Sequence, residues 1–120
     1  MKILVTGGYG QLGRSIFRNI NENTEFLWTG KSIPLGEKGI HLDILDRLNL
    51  RDLINLSSPD IIINLAALTD VDLCEKNPFL AQEINTQGVK NICDFFTGKI
   101  IQISTDYVFN GESGPYSEDD

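Results

Sequence analysis

The chain has 120 residues, 41% hydrophobic and 22% charged, enough for one soluble domain (1–120) with a buried core. Its formal net charge of −7, part of it from Glu112, Glu118, Asp119 and Asp120 near the C-terminus, argues against nucleic acid or an anionic membrane as partner. No apolar run is long enough to span a bilayer. Met1-Lys2-Ile3 opens directly into a strand pattern, so no signal peptide and a cytoplasmic location are expected. Cys74 and Cys93 are expected to be reduced, semi-buried thiols, since they are not spaced as a metal pair. His41 is the only histidine, which leaves no cluster for a histidine-built metal site or triad, and no metal is expected.

In chain order, the apolar run Ile3-Leu4-Val5 predicts a buried parallel strand over 2–6. Thr6-Gly7-Gly8-Tyr9-Gly10-Gln11-Leu12-Gly13 follows it. Each spaced glycine has a physical role: Gly7 turns the chain at the strand end, Gly10 leaves room for a pyrophosphate, and Gly13 lets the next helix lie close on the sheet. The backbone N–H groups of this turn and the positive end of the helix dipole then face an anion. The motif sits between a strand signal and a helix signal, the context that a dinucleotide site requires. The helix is predicted over 11–20, with Leu12, Ile16, Phe17 and Ile20 as its sheet-facing stripe.

A second strand is predicted over 25–29. An NAD-selective site places a carboxylate at this strand end for the ribose hydroxyls; here the end reads Thr29-Gly30-Lys31-Ser32. Lys31 and Ser32 suit a 2′-phosphate, which favours NADPH over NADH; the alternative is a solvated loop lysine and an ordinary turn serine. After a loop over 33–38 comes a short strand over 39–42. At its end Asp43 suits the exocyclic amine of adenine and the Ile44 backbone a ring nitrogen, unless Asp43 or Asp46 is only a helix cap. Asp46 suits the cap of a helix over 47–56 with Leu50, Leu53, Ile54 and Leu56 as its apolar face. The run over 61–67 is the strongest central-strand signal. Its small last residues, Ala66 and Ala67, either admit a cofactor ribose or simply pack tightly. A loop or short helix over 69–76 leads to a helix over 78–96 that Pro78 opens, with Leu80, Ile84, Val89, Ile92 and Phe96 as core positions. Within it, Gly88 is read as a close-packing point and Asn85 as needing a buried polar partner. A fifth strand is predicted over 99–104.

With Thr6-Gly7-x-x-Gly10-x-x-Gly13, Asn64-Leu65-Ala66-Ala67 and Ser104-Thr105-Asp106-Tyr107-Val108-Phe109-Asn110-Gly111 in view, the chain resembles extended short-chain dehydrogenases/reductases. Within them it is most similar to dTDP-4-dehydrorhamnose reductases. The loop Ala67-Leu68-Thr69-Asp70-Val71-Asp72, with Glu75 and Pro78 behind it, and Gly114-Pro115-Tyr116-Ser117-Glu118 agree. The resemblance covers the whole chain but only the N-terminal part of such an enzyme. It implies a doubly wound parallel α/β sheet of Rossmann type, with five strands in the order 3-2-1-4-5 and truncated before a sixth.

The activity so implied is hydride transfer from NADPH or NADH to the keto group of a nucleotide-activated 4-keto-6-deoxyhexose. Gly7, Tyr9, Gly10, Gln11, Leu12, Gly13, Lys31, Ser32, Asp43, Ile44, Leu65, Ala66, Ala67 and Thr69 would line the cofactor. Thr105 aligns with the family's hydroxyl that holds the substrate oxygen, and Asp106, Tyr107 and Val108 would touch the nucleotide-sugar. The family's proton-donating Tyr and the Lys four residues on have no counterpart: Tyr9, Tyr107 and Tyr116 all lack that lysine. The chain alone is therefore expected to be an inactive cofactor-binding fragment. The apolar residues Ile100, Ile101 and Ile103 point to alternate faces of an edge strand, which agrees with truncation or with a homodimer or partner chain over that edge. A nucleotide-sugar epimerase or dehydratase is disfavoured: the acid after strand two is missing, and Tyr107 stands where dehydratases tend to place Glu. A non-catalytic NADP-binding regulatory subunit, like the β-subunit of methionine adenosyltransferase, is the reading from a different class.

Overall fold

The computed structural model describes residues 1–21, 23–66 and 76–103. Strand β1 (Lys2–Thr6) leads through the glycine turn into helix α1 (Gln11–Arg18). Strands β2 (Glu25–Gly30) and β3 (Ile40–His41) follow, then α2 (Arg47–Ser57) and β4 (Ile61–Asn64). Helix α3 (Pro78–Gln82), a π-helical turn (Glu83–Gln87), helix α4 (Gly88–Phe95) and strand β5 (Lys99–Gln102) complete the described elements. The strands form one sheet in the order β3-β2-β1-β4-β5, with every pairing parallel, as the family resemblance implies.

The register explains where the core sits. Leu4 lies opposite Leu27 and Ile62, and Ile62 opposite Ile100, so these four share one face of the sheet. On that face Leu4 and Ile62 are sealed by Leu50 and Ile54 of α2 and Ile92 of α4, with Leu42 and Ile44 in the same cluster. Val5 lies opposite Trp28 and Ile63 on the other face. There Trp28 stacks on Phe26 with ring centroids 5.8 Å apart and meets Phe17 of α1 edge-to-face at 5.4 Å.

Several expectations are corrected. Helix α1 stops at Arg18, because Asn19 leaves helical geometry while its N–H closes on the Ile16 carbonyl. Its close approach is made by the buried Gly13, not by the predicted stripe: Ile16 is half-buried, Leu12 and Ile20 are exposed, and Phe17 is 57% exposed with only its edge on Trp28. Leu56 is 88% exposed; it lies two residues past Ile54, which turns it about 200° from that inward position. Strand β3 has only two residues, although Leu42 still donates to the Gly30 carbonyl at 2.9 Å. β4 stops at Asn64 because the Asn64 side chain takes over the Ala66 N–H at 3.3 Å.

The single helix expected over 78–96 is interrupted by the π turn. Leu80 of helix α3 is exposed, not a core position. Val89 is half-buried and Ile92 buried, as expected. Asn85 is exposed, and the buried polar residue of this region is Asn91. Cys93 is an exposed free thiol, since it points away from the buried face set by Asn91 and Ile92; Cys74 lies outside the described residues. β5 is an edge strand on which Ile100 packs against the core while Ile101 and Ile103 are exposed. Among the described residues no helix is long and apolar enough to cross a membrane.

Candidate functional site

The strand order reverses between β1 and β4. In an open parallel sheet, the crevice beyond the carboxyl ends of the strands at such a reversal is where a ligand fits. The glycine turn, the ends of β2 and β3, and the Leu65-Ala66 segment after β4 all meet at that edge.

The turn separates its glycines by physical role. Gly7 has φ +63°, and a Cβ there would lie 2.6 Å from the Ala66 nitrogen. A Cβ on Gly13 would strike the Gly8 backbone, whose Cα would lie only 2.8 Å away. Both are required by the fold. Gly10 is different: it has an ordinary φ of −77°, and a Cβ would meet only the Gly7 carbonyl oxygen, at 3.7 Å. Among the described residues nothing else comes within 4 Å of that position. Gly10 is the N-cap residue of α1 and brings no side-chain cap, and the first turn carries no acidic residue. The N–H groups that open a helix have no intrahelical acceptor, and with the dipole they suit a pyrophosphate. The donor set and the open cradle thus fit a dinucleotide, with Gln11 and Leu12 on the first helical positions beside it.

Two contacts hold the turn to its neighbours. Gly8 N–H donates to the Thr29 carbonyl at 2.8 Å, and Leu65 N–H to the Thr6 carbonyl at 3.0 Å. The Asn64 carboxamide oxygen accepts from the Thr6 hydroxyl and the Ala66 N–H, while its amide donates to Gln102 Oε1 at 2.7 Å. Asn64 thereby ties the ends of β1, β4 and β5 together. Sequence reading missed Gly8 and the role of Asn64. A polar residue ending an otherwise all-isoleucine strand was the available signal for the second.

Tyr9 folds back over the sheet edge. Its ring occupies the space that side chains on Gly30 and Gly39 would need, and its hydroxyl donates to the Lys38 carbonyl at 2.7 Å. Burial, and then the Glu37 carboxylate, push the Tyr9 phenol above its usual range. It is therefore a neutral hydrogen-bond donor at physiological pH.

Lys31 and Asp43, assigned separately to a 2′-phosphate and to adenine, are neighbours: Lys31 Nζ lies 3.9 Å from Asp43 Oδ2. Both groups of an NADP adenosine hang on one ribose, so this adjacency suits the assignment. Lys31 is 68% exposed on its side chain, and the contact with Asp43 contributes little to stability. Ser32 follows in the bend. Asp43 Oδ1 accepts from Leu45 N–H at 3.0 Å, which leaves Oδ2 turned toward Lys31. The Ile44 side chain is buried in the core, so only its backbone is available to a ligand. Asp46, not Asp43, caps α2, through Asn49 N–H. Ala67, Thr69, Thr105, Asp106, Tyr107 and Val108 lie outside the described residues.

Beside this edge a cavity of about 450 Å³ is lined by Gly8, Tyr9, Arg14, Phe17, Trp28 and Lys38, among others. Neither Gly10, Lys31 nor Asp43 borders it, so it is a neighbour of the dinucleotide crevice, with Tyr9 in the wall.

The model of the family described as RmlD substrate binding domain matches residues 1–120. A dTDP-4-dehydrorhamnose reductase of Streptomyces griseus is 36% identical over 97% of this chain and 37% of its own length. A methionine adenosyltransferase 2 subunit beta of Xenopus laevis is 35% identical over 98% of this chain and 36% of its own. Among solved structures, a hypothetical dTDP-4-dehydrorhamnose reductase from Sulfolobus tokodaii superposes with a TM-score of 0.90 and 41% identity, over 100% of this chain and 45% of that one. The dTDP-4-dehydrorhamnose reductase of Bacillus anthracis in complex with NADP gives 0.82 and 33%, over 93% and 38%. The chain thus spans 36–45% of the length of each.

Proposed function

The chain belongs to the RmlD substrate binding domain family, and from that premise we propose that it is the dinucleotide-binding part, over 1–120, of a cytoplasmic NADPH-dependent reductase acting on a nucleotide-activated 4-keto-6-deoxyhexose. One observation carries the cofactor half of this reading: Gly10 is the glycine of the turn that the fold itself does not require. A residue kept without a side chain, at a helix N-terminus and beside open space, suits a ligand backbone packed against it. The NADP complex of the Bacillus anthracis relative supports the same cofactor.

NADPH, when bound, supplies the hydride. The chain's own residues bind and orient. The turn from Gly7 to Gly13 offers backbone donors to the pyrophosphate, with Tyr9, Gln11 and Leu12 flanking it. Lys31 and Ser32 take the 2′-phosphate, so NADPH is preferred to NADH. Asp43 and the Ile44 backbone read adenine. Leu65, Ala66, Ala67 and Thr69 form the floor for the nicotinamide half. Thr105 donates to the substrate oxygen, and Asp106, Tyr107 and Val108 contact the sugar nucleotide. No tyrosine of the chain has a lysine four residues on, so the proton donor of the reaction is not among these residues. The exposed Ile101 and Ile103 at the β5 edge suit a fragment of a longer enzyme, with a second copy or a partner chain over that edge as the alternative.

The chain by itself is expected to bind NADPH weakly and to reduce no sugar nucleotide. Nuclear magnetic resonance titration with NADPH and NADH, with a turnover assay in parallel, tests this. Tight NADPH binding with turnover would sink the proposal. The similarity to methionine adenosyltransferase 2 subunit beta favours a second reading, a non-catalytic NADP-binding subunit. Weak binding that becomes tight only on adding a partner enzyme, still without hydride transfer, would select it.

A further inference from the structure

The turn after β3 is held from behind by side chains that no cofactor would touch. Asn91 of α4 is only 1% exposed. Its amide donates to the Ile44 carbonyl at 2.9 Å, across forty-seven positions of sequence. Its carboxamide oxygen accepts from Arg47 Nη1 at 2.6 Å and from Gln87 Nε2 at 2.9 Å. Arg47 is itself fixed by Asp94 Oδ2 at 3.0 Å and lies 4.7 Å over the Phe95 ring. A buried amide satisfied in this way holds one orientation, because any other leaves polar atoms unpaired.

The same residue is gripped a second time. The Ile44 side chain fills the notch left by Gly88, where a Cβ would approach its Cγ1 to 2.8 Å. Gly88 and Asn91 lie three residues apart, on one face of α4. The π turn Glu83–Gln87 precedes that face. A π turn takes in one extra residue, so removing it would rotate Gly88 and Asn91 by about 100° away from Ile44. Ile44 is thus clamped at its carbonyl and its side chain. Asp43 is set with it: its carbonyl takes Asp46 N–H at 2.9 Å and its Oδ1 takes Leu45 N–H at 3.0 Å, which leaves Oδ2, 3.9 Å from Lys31 Nζ, as its second accepting oxygen.

We infer that Asn91 is a positioning residue that sets adenine selectivity, by fixing the Ile44 peptide and through it the accepting edge of Asp43. This rests on the proposal that Asp43 and Ile44 read adenine. Hypoxanthine carries a carbonyl where adenine carries the exocyclic amine, and it bears a ring N–H where adenine has an acceptor. A pre-set Asp43 carboxylate and Ile44 backbone discriminate between the two, and a loosened turn does not.

The test compares binding of NADPH and reduced nicotinamide hypoxanthine dinucleotide phosphate to the chain by nuclear magnetic resonance titration, which reads weak affinities. The wild-type chain is expected to favour the adenine form about tenfold, the scale of one hydrogen bond exchanged for a mismatch. Asn91→Ala is expected to bring the ratio within about twofold of unity, mainly by weakening the adenine form. Asn91→Asp keeps the side-chain volume and the acceptor for Arg47 and Gln87 and removes the donor to Ile44. It is expected to do the same, and it decides the matter if the alanine variant does not fold. A folded variant that weakens both forms equally, or keeps the tenfold preference, overturns the inference and leaves Asn91 a packing residue. A wild-type chain that binds both forms equally overturns instead the adenine reading of Asp43 and Ile44. Binding of neither form overturns the dinucleotide reading itself.

Discussion

The turn after β1 and the turn after β3 lie on the same sheet edge and are built by opposite means. The first is made by removing side chains: Gly7, Gly8 and Gly13 are each in contact with a backbone or ring that a Cβ would displace. The second is made by adding them: Ile44 is packed into the core, and its carbonyl is held by an amide from another helix. A turn made of glycines is rigid through close backbone approach and tolerates no growth. A turn held by a polar network is rigid through directional bonds and can be loosened one bond at a time.

The largest effect is expected at the first turn. Gly13→Val drives a branched side chain into the Gly8 backbone, where neither partner can rotate away. A loss of about 3 kcal/mol or more is expected in denaturant unfolding, and a loss under about 1 kcal/mol would mean that α1 does not rest on this contact. Gly7→Ala combines a left-handed φ with a close backbone neighbour and should cost about 2 kcal/mol in the same measurement. The second turn should respond more softly. Gly88→Ala gains up to about 1 kcal/mol of helix propensity but overpacks Ile44, at a cost of about 1–3 kcal/mol, so a net loss near 1 kcal/mol is expected. A net gain would show that Ile44 has room to move, which would loosen the contrast between the two turns.

Tyr9 ties the first turn to the loop that leads into β3, and its effect is smaller again. Tyr9→Phe removes the bond to the Lys38 carbonyl and should cost about 0.5–1 kcal/mol at neutral pH. Its phenol is raised in the folded state by burial and by Glu37. The stabilisation linked to that shift is fully present below the unfolded value, ordinarily about 10. It is lost as pH rises through the higher folded value. The wild-type chain should therefore lose stability at strongly alkaline pH more steeply than the phenylalanine variant. Parallel pH profiles would show that the fold does not hold the proton of this phenol.

The same contrast explains what could be read from the chain. The glycine turn and the longer strands were legible from local facts, apolar runs and glycines at fixed spacing before a helix, and the sheet order from the family resemblance those motifs carry. The Ile44 clamp was not. Asn91 and Ile44 meet only after the chain folds, and Asn85, the asparagine singled out in that helical stretch, is exposed. The π turn was hidden for a related reason: nothing in the residue types of Glu83–Gln87 marks where a helix takes in one extra residue. The predicted stripe of α1 failed because Gly13, which has no side chain to score as apolar, makes the closest contact.

The central claim is that the space over Gly10 belongs to a pyrophosphate. Gly10→Leu tests it most directly, because the fold does not need this glycine. Denaturant unfolding of the variant should lose no more than about 1 kcal/mol, the cost of an apolar residue at the N-cap of α1. NADPH binding, followed by nuclear magnetic resonance titration, should weaken by at least about thirtyfold, equivalent to roughly 2 kcal/mol. A Gly10→Leu chain that binds NADPH as the wild type does would contradict the assignment.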